Sequence, residues 1–251
     1  RDYTKQVAVE VGGRVTSENS NEASFTLPGK TLINTKGEEE IISFTLTPST
    51  IDPQSESHPT TLIATLCYPY ETELIASVCI DPDPNNIRPT KKSCIVEDAP
   101  FSQGQGAPVA ITLVQPQIIP GSSQVKPQFL ITIENKGKGE VIKPELYKNI
   151  CRGTSSGIDV KELNRIGMEA WLSDQKLTCY LRTDTNPSAD RPETESFVRL
   201  QSQKQVIRCE YPENARPILK TDDSYTSQLT INLNYGYVES KPTEYTIRKV
   251  N

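Results

Sequence analysis

The chain offers chemistry few starting points: six cysteines, a single histidine, and carboxylates spread among turn residues. The cysteines are Cys67, Cys79, Cys94, Cys151, Cys179 and Cys209, three in each half of the sequence. A zinc or redox centre draws its ligands from close CxxC or Cys/His pairs, and no such spacing is present. Cysteines this dispersed read instead as disulfides, which form and persist in oxidising compartments. Cys179 shares a strand phase with Leu177 and Leu181, and Cys209 shares one with Ile207 and Tyr211. Each therefore points to an apolar face, and the two are expected to bond. Closing a loop of about thirty residues contributes roughly 3 to 4 kcal/mol on the chain-entropy model. Cys79 and Cys94 flank Asp81-Pro82-Asp83-Pro84-Asn85-Asn86 and can close that loop. Cys67 and Cys151 remain, and a bond between them would staple the two halves together. The competing arrangement pairs Cys67 with Cys79 across a hairpin, leaving Cys94 and Cys151 to meet or stay free.

Other reactive side chains read as structural. His58 sits in Ser55-Glu56-Ser57-His58-Pro59, a loop composition far from any nucleophile–acid pattern. Asp81, Asp83 and Asn85 match the first three ligand positions of a calcium loop, but Asn86 stands where the turn glycine belongs and Lys92 where the bidentate glutamate belongs. A proline-stiffened turn is expected there. Glu71/Glu73 and Asp222/Asp223 are paired carboxylates of the kind any acid-rich chain contains by chance. Gly104-Gln105-Gly106 and Gly137-Lys138-Gly139 lack the strand-to-helix setting of a phosphate loop and are expected to be turns. No catalytic residue, metal site or cofactor is expected, and the chain reads as a non-enzyme. Trp171, on the phase opposite Met168 and Leu172, joins Tyr235 and Tyr237 as the candidate partner-binding aromatics. The alternative for Trp171 is a place under a loop of its own domain.

The elements that must hold these residues are strands. The 251 residues include 19 prolines, and only 35% are apolar, which suits thin sheets with wet outer faces. Period-two alternation recurs at Val7-Val9-Val11, Ile42-Phe44-Leu46, Val109-Ile111-Leu113, Phe129-Ile131-Ile133 and, longest of all, Leu229 to Tyr237. Residues 62–68 and 74–80 read as a hairpin turning at Pro69-Tyr70-Glu71-Thr72, and residues 244–250 as a separate closing strand. The stretch 143–164 is ambiguous, with single helical turns possible at Glu145 to Ile150 and Val160 to Asn164. The stretch 98–108 has linker composition, which sets domain limits at 1–103 and 104–251. The fold expected is all-β, two immunoglobulin-like β-sandwiches in tandem stapled by disulfides.

Charge is unevenly spread. Residues 1–105 hold 8 basic against 15 acidic side chains, and residues 106–251 hold 19 against 17, within a net charge of −5. Nothing here invites nucleic acid. No run reaches the ~18 apolar residues of a membrane helix, so membrane contact is expected only through an N-terminal anchor preceding Arg1. The strand Lys5 to Val11, some thirty residues from the next alternation, is expected to pair with another subunit or along an open edge.

Gly106-Ala-Pro-Val-Ala-Ile-Thr-Leu-Val, followed by Phe129-Leu-Ile-Thr-Ile-Glu-Asn-Lys-Gly-Lys-Gly, resembles the opening of cell-adhesion-related (CARDB-like) immunoglobulin-type domains of archaeal and bacterial surface proteins. More broadly, Cys67 to Glu73, Val78 to Pro82, Gly104 to Pro108 and Leu233 to Tyr237 are similar to secreted proteins of small-genome archaea. The resemblance implies a sandwich on a cell surface and carries over no catalytic or binding residue. The function expected is extracellular and structural or adhesive, as a filament or surface-layer subunit that self-associates head to tail or by strand exchange. The alternative is a monomeric module that recognises a glycan or surface protein through its end loops.

Overall fold

The computed structural model describes residues 4–11, 14–18, 22–29, 33–89, 91–151, 163–181, 197–200 and 202–249. The chain is all-β. Its strands are β1 (Thr4–Val11), β2 (Arg14–Glu18), β3 (Ile42–Pro48), β4 (Ser57–Ile80), β5 (Ala99–Pro100), β6 (Val109–Pro120), β7 (Gln124–Asn135) and β8 (Glu140–Ile142). A 3-10 turn at Pro144–Leu146 runs into the short helix α1 (Tyr147–Cys151). There follow β9 (Arg165–Leu172), β10 (Gln175–Lys176), β11 (Thr178–Leu181), β12 (Phe197–Arg199), β13 (Lys204–Glu210), β14 (Ile218–Leu219) and β15 (Tyr225–Arg248). Of the two expected helical turns, the first forms; Val160 to Glu162 lie outside the described residues.

Two compact units partition the chain: Arg1–Ile63 with Pro242–Asn251, and Ala64–Lys241. The composition break at 98–108 falls inside the second. There Gly104 and Gly106 adopt positive φ, as turn glycines do, and the Gln105 side chain accepts from Ile111 N–H at 2.9 Å and donates to Ile111 O at 3.1 Å. That amide satisfies β6 where its register against β7 shifts, between Ile111 and Leu113.

In the second unit one sheet has the order β10-β9-β15-β4, with β12 on β9 and β8 on β15; the other has the order β11-β13-β7-β6-β5, with β14 on β7. Both contribute to one core. Leu74, Val78, Met168, Ile231 and Leu233 come from the first sheet, and Ile111, Phe129, Ile131, Ile207 and Cys209 from the second. In the first unit β1 is the middle strand of the order β2-β1-β3, with Val9 opposite Ser17 on one side and Phe44 on the other. The N-terminal strand, expected to pair with another subunit or along an open edge, is thus bonded on both sides within its own unit.

Two further expectations are corrected. Residues 62–80 form no hairpin, because β4 runs on through Pro69 and its even-numbered side chains stay on the less exposed side from His58 to Tyr70 with one break, at Leu66, and are buried from Thr72 onward. The two-residue turns that suit a hairpin favour glycine, asparagine or aspartate, which Pro69-Tyr70-Glu71-Thr72 lacks. An edge strand tolerates proline, and β4 is the last strand of its sheet. The closing strand likewise merges with Leu229 to Tyr237 into the 24-residue β15.

Candidate functional site

The three disulfides are Cys67–Cys151, Cys79–Cys94 and Cys179–Cys209, with Cα separations of 5.9, 5.7 and 4.0 Å. This is the favoured set. Cys179 and Cys209 face each other directly across β11 and β13, as their phases require. Cys67 and Cys151 both belong to the second compact unit, so their bond ties α1 to β4 within it.

The loop closed by Cys79–Cys94 holds a polar cluster. Asp81 and Asp83 are both buried. Asp81 Oδ1 accepts from Asp83 N–H at 3.0 Å, and Asp83 accepts from Ile87 N–H at 3.0 Å and from Arg88 N–H at 2.8 Å. These amides, Arg88 first, hold the Asp83 carboxyl below its ordinary value. Lys92 pairs with Asp81 and donates to Asp83 O at 2.8 Å. The residue that spoils the calcium pattern thus supplies the positive charge itself. Arg88 then reaches outward, donating to Thr221 O at 2.9 Å and Asp222 O at 2.5 Å, so the loop docks on the turn before β15.

Tyr235 and Tyr237 do not form an exposed binding patch. They are 0% and 1% exposed, because they continue the inward phase of Leu229, Ile231 and Leu233. Their hydroxyls reach polar partners from inside the core. Val109 N–H donates to Tyr235 Oη at 3.1 Å, the tyrosine hydroxyl lies 3.1 Å from Thr72 Oγ1, and Thr72 donates to Val109 O at 2.9 Å. Three groups thereby close a ring that joins the two sheets. Tyr237 accepts from Gly139 N–H at 2.8 Å and donates to Asn135 Oδ1 at 3.3 Å. Gly137 and Gly139 are fixed by this contact: a Cβ at Gly139 would lie 2.3 Å from Val238 O, and one at Gly137 2.0 Å from the Tyr237 hydroxyl. With Tyr68 and Tyr70 the two rings make an aromatic cluster, in which burial and the neighbouring Tyr237 push the Tyr68 hydroxyl up to about 12.

Trp171 lies on the outer face of β9, half-buried, with the Lys176 ammonium 5.6 Å from its ring centre. Lys176 also bonds Glu169 at 2.5 Å. His58 is on β4 rather than in a loop, and half-buried. Asp222 caps Leu219 N–H at 2.9 Å, while Glu71 and Glu73 stand exposed on the outward phase of β4. Among the described residues no three His, Cys, Asp or Glu side chains are grouped to hold a metal ion, and no helix is long and apolar enough to cross a membrane. The inward tyrosine hydroxyls are the interactions that reading by type missed; strand phase alone points to them. No protein-family model, curated protein or solved structure matches this chain.

Proposed function

We propose that this chain is a non-enzymatic extracellular structural or adhesive protein, serving as a subunit of a cell-surface filament or surface layer. The observation that carries this reading is where the disulfides act. Cys67–Cys151 fastens a helix to the edge strand β4, Cys79–Cys94 fastens the Asp/Pro loop to the end of the same strand, and Cys179–Cys209 fastens β11, the last strand of its sheet, to β13. Edges and loops are where a sandwich begins to open. Covalent closure at all three suits a module that must resist proteolysis and load in an oxidising setting.

In this reading the sandwich of residues 64–241 is immunoglobulin-like, in keeping with the CARDB-like resemblance, and the first unit is a smaller module beside it in sequence. That smaller unit leaves Phe25, Leu27, Ile33, Ile41, Phe44 and Ile63 exposed, which favours association over a solitary existence. Sedimentation velocity and electron microscopy of the oxidised protein, across concentration and salt, should reveal ordered oligomers or filaments. A monomer under every condition would replace this reading with the single binding module acting through its end loops.

A further inference from the structure

The hydrogen-bonding directions of β15 and β4 can be read residue by residue. On β15, even-numbered residues face β9: Ser173 N–H donates to Gln228 O at 2.7 Å, one step beyond the Leu229–Leu172 pair. Odd-numbered residues of β15 from Leu229 to Tyr237 therefore face β4. Tyr70 stacks on Tyr235 and Tyr68 lies against Tyr237, with ring centroids 6.0 and 5.7 Å apart, so the β4 residues opposite them are even-numbered. The odd-numbered residues Glu71, Glu73, Ile75 and Ser77 consequently turn their N–H and C=O groups away from β15. Among the described residues no strand follows β4 in its sheet.

Pro59 and Pro69 share this odd parity, the one place on β4 where a missing N–H costs no ladder bond. Beyond Pro69 the blunting stops. From Tyr70 to Val78 there is no proline, lysine or glycine, and the edge is a template for another strand. The side chains of Glu71, Glu73, Ile75 and Ser77 are all exposed, Ile75 at 57%, and neither glutamate forms an ion pair with a described residue. Leu74 and Ala76, on the other phase, form the border of the core.

We propose that the edge of β4 from Glu71 to Ser77 accepts an extended segment of a partner protein whose side chains alternate basic and apolar. An added strand places one set of side chains beside Glu71 and Glu73, where positive charge is favoured, and the other beside Leu74 and Ala76, where apolar surface is favoured. A second copy fits this edge poorly. Pairing β4 with another β4 brings two Glu71/Glu73 pairs into one short stretch, and β1 is already bonded on both sides. The proposal stands independently of the filament reading.

The test is a fluorescent seven-residue peptide alternating lysine and valine, titrated into the intact oxidised protein and followed by anisotropy and amide hydrogen exchange. Free protein should exchange quickly at Glu71, Glu73, Ile75 and Ser77 and slowly at Thr72, Leu74 and Ala76. Peptide should protect the first set, with affinity falling as salt rises. Ile75→Pro copies Pro69 further along the same edge and should weaken binding by about tenfold or more, the loss expected for one hydrogen bond plus a steric block. Should that variant fail to fold, Glu71→Gln/Glu73→Gln, which leaves the backbone intact, should weaken binding and flatten its salt dependence. Absence of peptide protection overturns the proposal. So does protection of the same amides by self-association without peptide, which would make the occupant a second copy.

Discussion

Replacing Tyr235 by phenylalanine removes one oxygen and leaves two buried groups, Val109 N–H and the Thr72 hydroxyl, without the partner they share. Tyr235→Phe should therefore cost about 1 to 3 kcal/mol in chemical denaturation, more than the loss of a surface hydroxyl. Asp83 makes a prediction with a sign. Its carboxyl is held below the ordinary range by the amides of Arg88 and Ile87, so the folded state binds this proton more weakly than the unfolded chain does. The stabilisation is complete above the unfolded value near 3.9 and is lost as pH falls through the lower folded value. Thermal melts between pH 5 and 2 should show an acid-side loss in the wild type that is smaller in Asp83→Asn. Equal slopes would mean that these amides do not hold the ionised form.

At the scale of elements, the sequence was most legible where alternation and turn chemistry agreed. The phases of Cys179 and Cys209 located a cross-strand bond, and the run from Leu229 to Leu233 marked an inward face. Tyr235 and Tyr237 continue that run, yet their hydroxyls and their frequency at interfaces argue for exposure, and only the positions of Val109, Thr72 and Gly139 reveal that the core supplies partners. Pro69 misled for a related reason. Proline excludes a central strand but is neutral at an edge, and which strand is an edge is a property of the sheet. β1 was legible as a strand and illegible as the middle of one. Its position yields a prediction opposite to that for an unpartnered arm: deleting residues 1–12 takes the central strand from the order β2-β1-β3. Hydrogen exchange should then show β3 losing protection while β6, β7 and β13 keep theirs. A truncated chain with β3 still protected would show that β1 is dispensable to its sheet.

Considered as a whole, the chain is organised differently from its own order. Composition shifts at 98–108 because turn residues gather there, but compactness is decided by which strands share a core, and residues 64–80 share theirs with strands well over a hundred positions later. No local pattern carries that information. The smaller unit is made of two separated stretches, Arg1–Ile63 and Pro242–Asn251, with the larger unit continuous between them. This arrangement has a consequence in time. As the polypeptide emerges, everything needed for the larger unit is available once Lys241 has appeared, whereas the smaller unit must wait for the ten residues that follow. The sandwich can thus settle first, with its three cysteine pairs all inside it, and oxidation can finish before the smaller unit receives the end of β15. Residues 242–251 join that unit only after the sandwich that precedes them can already have closed.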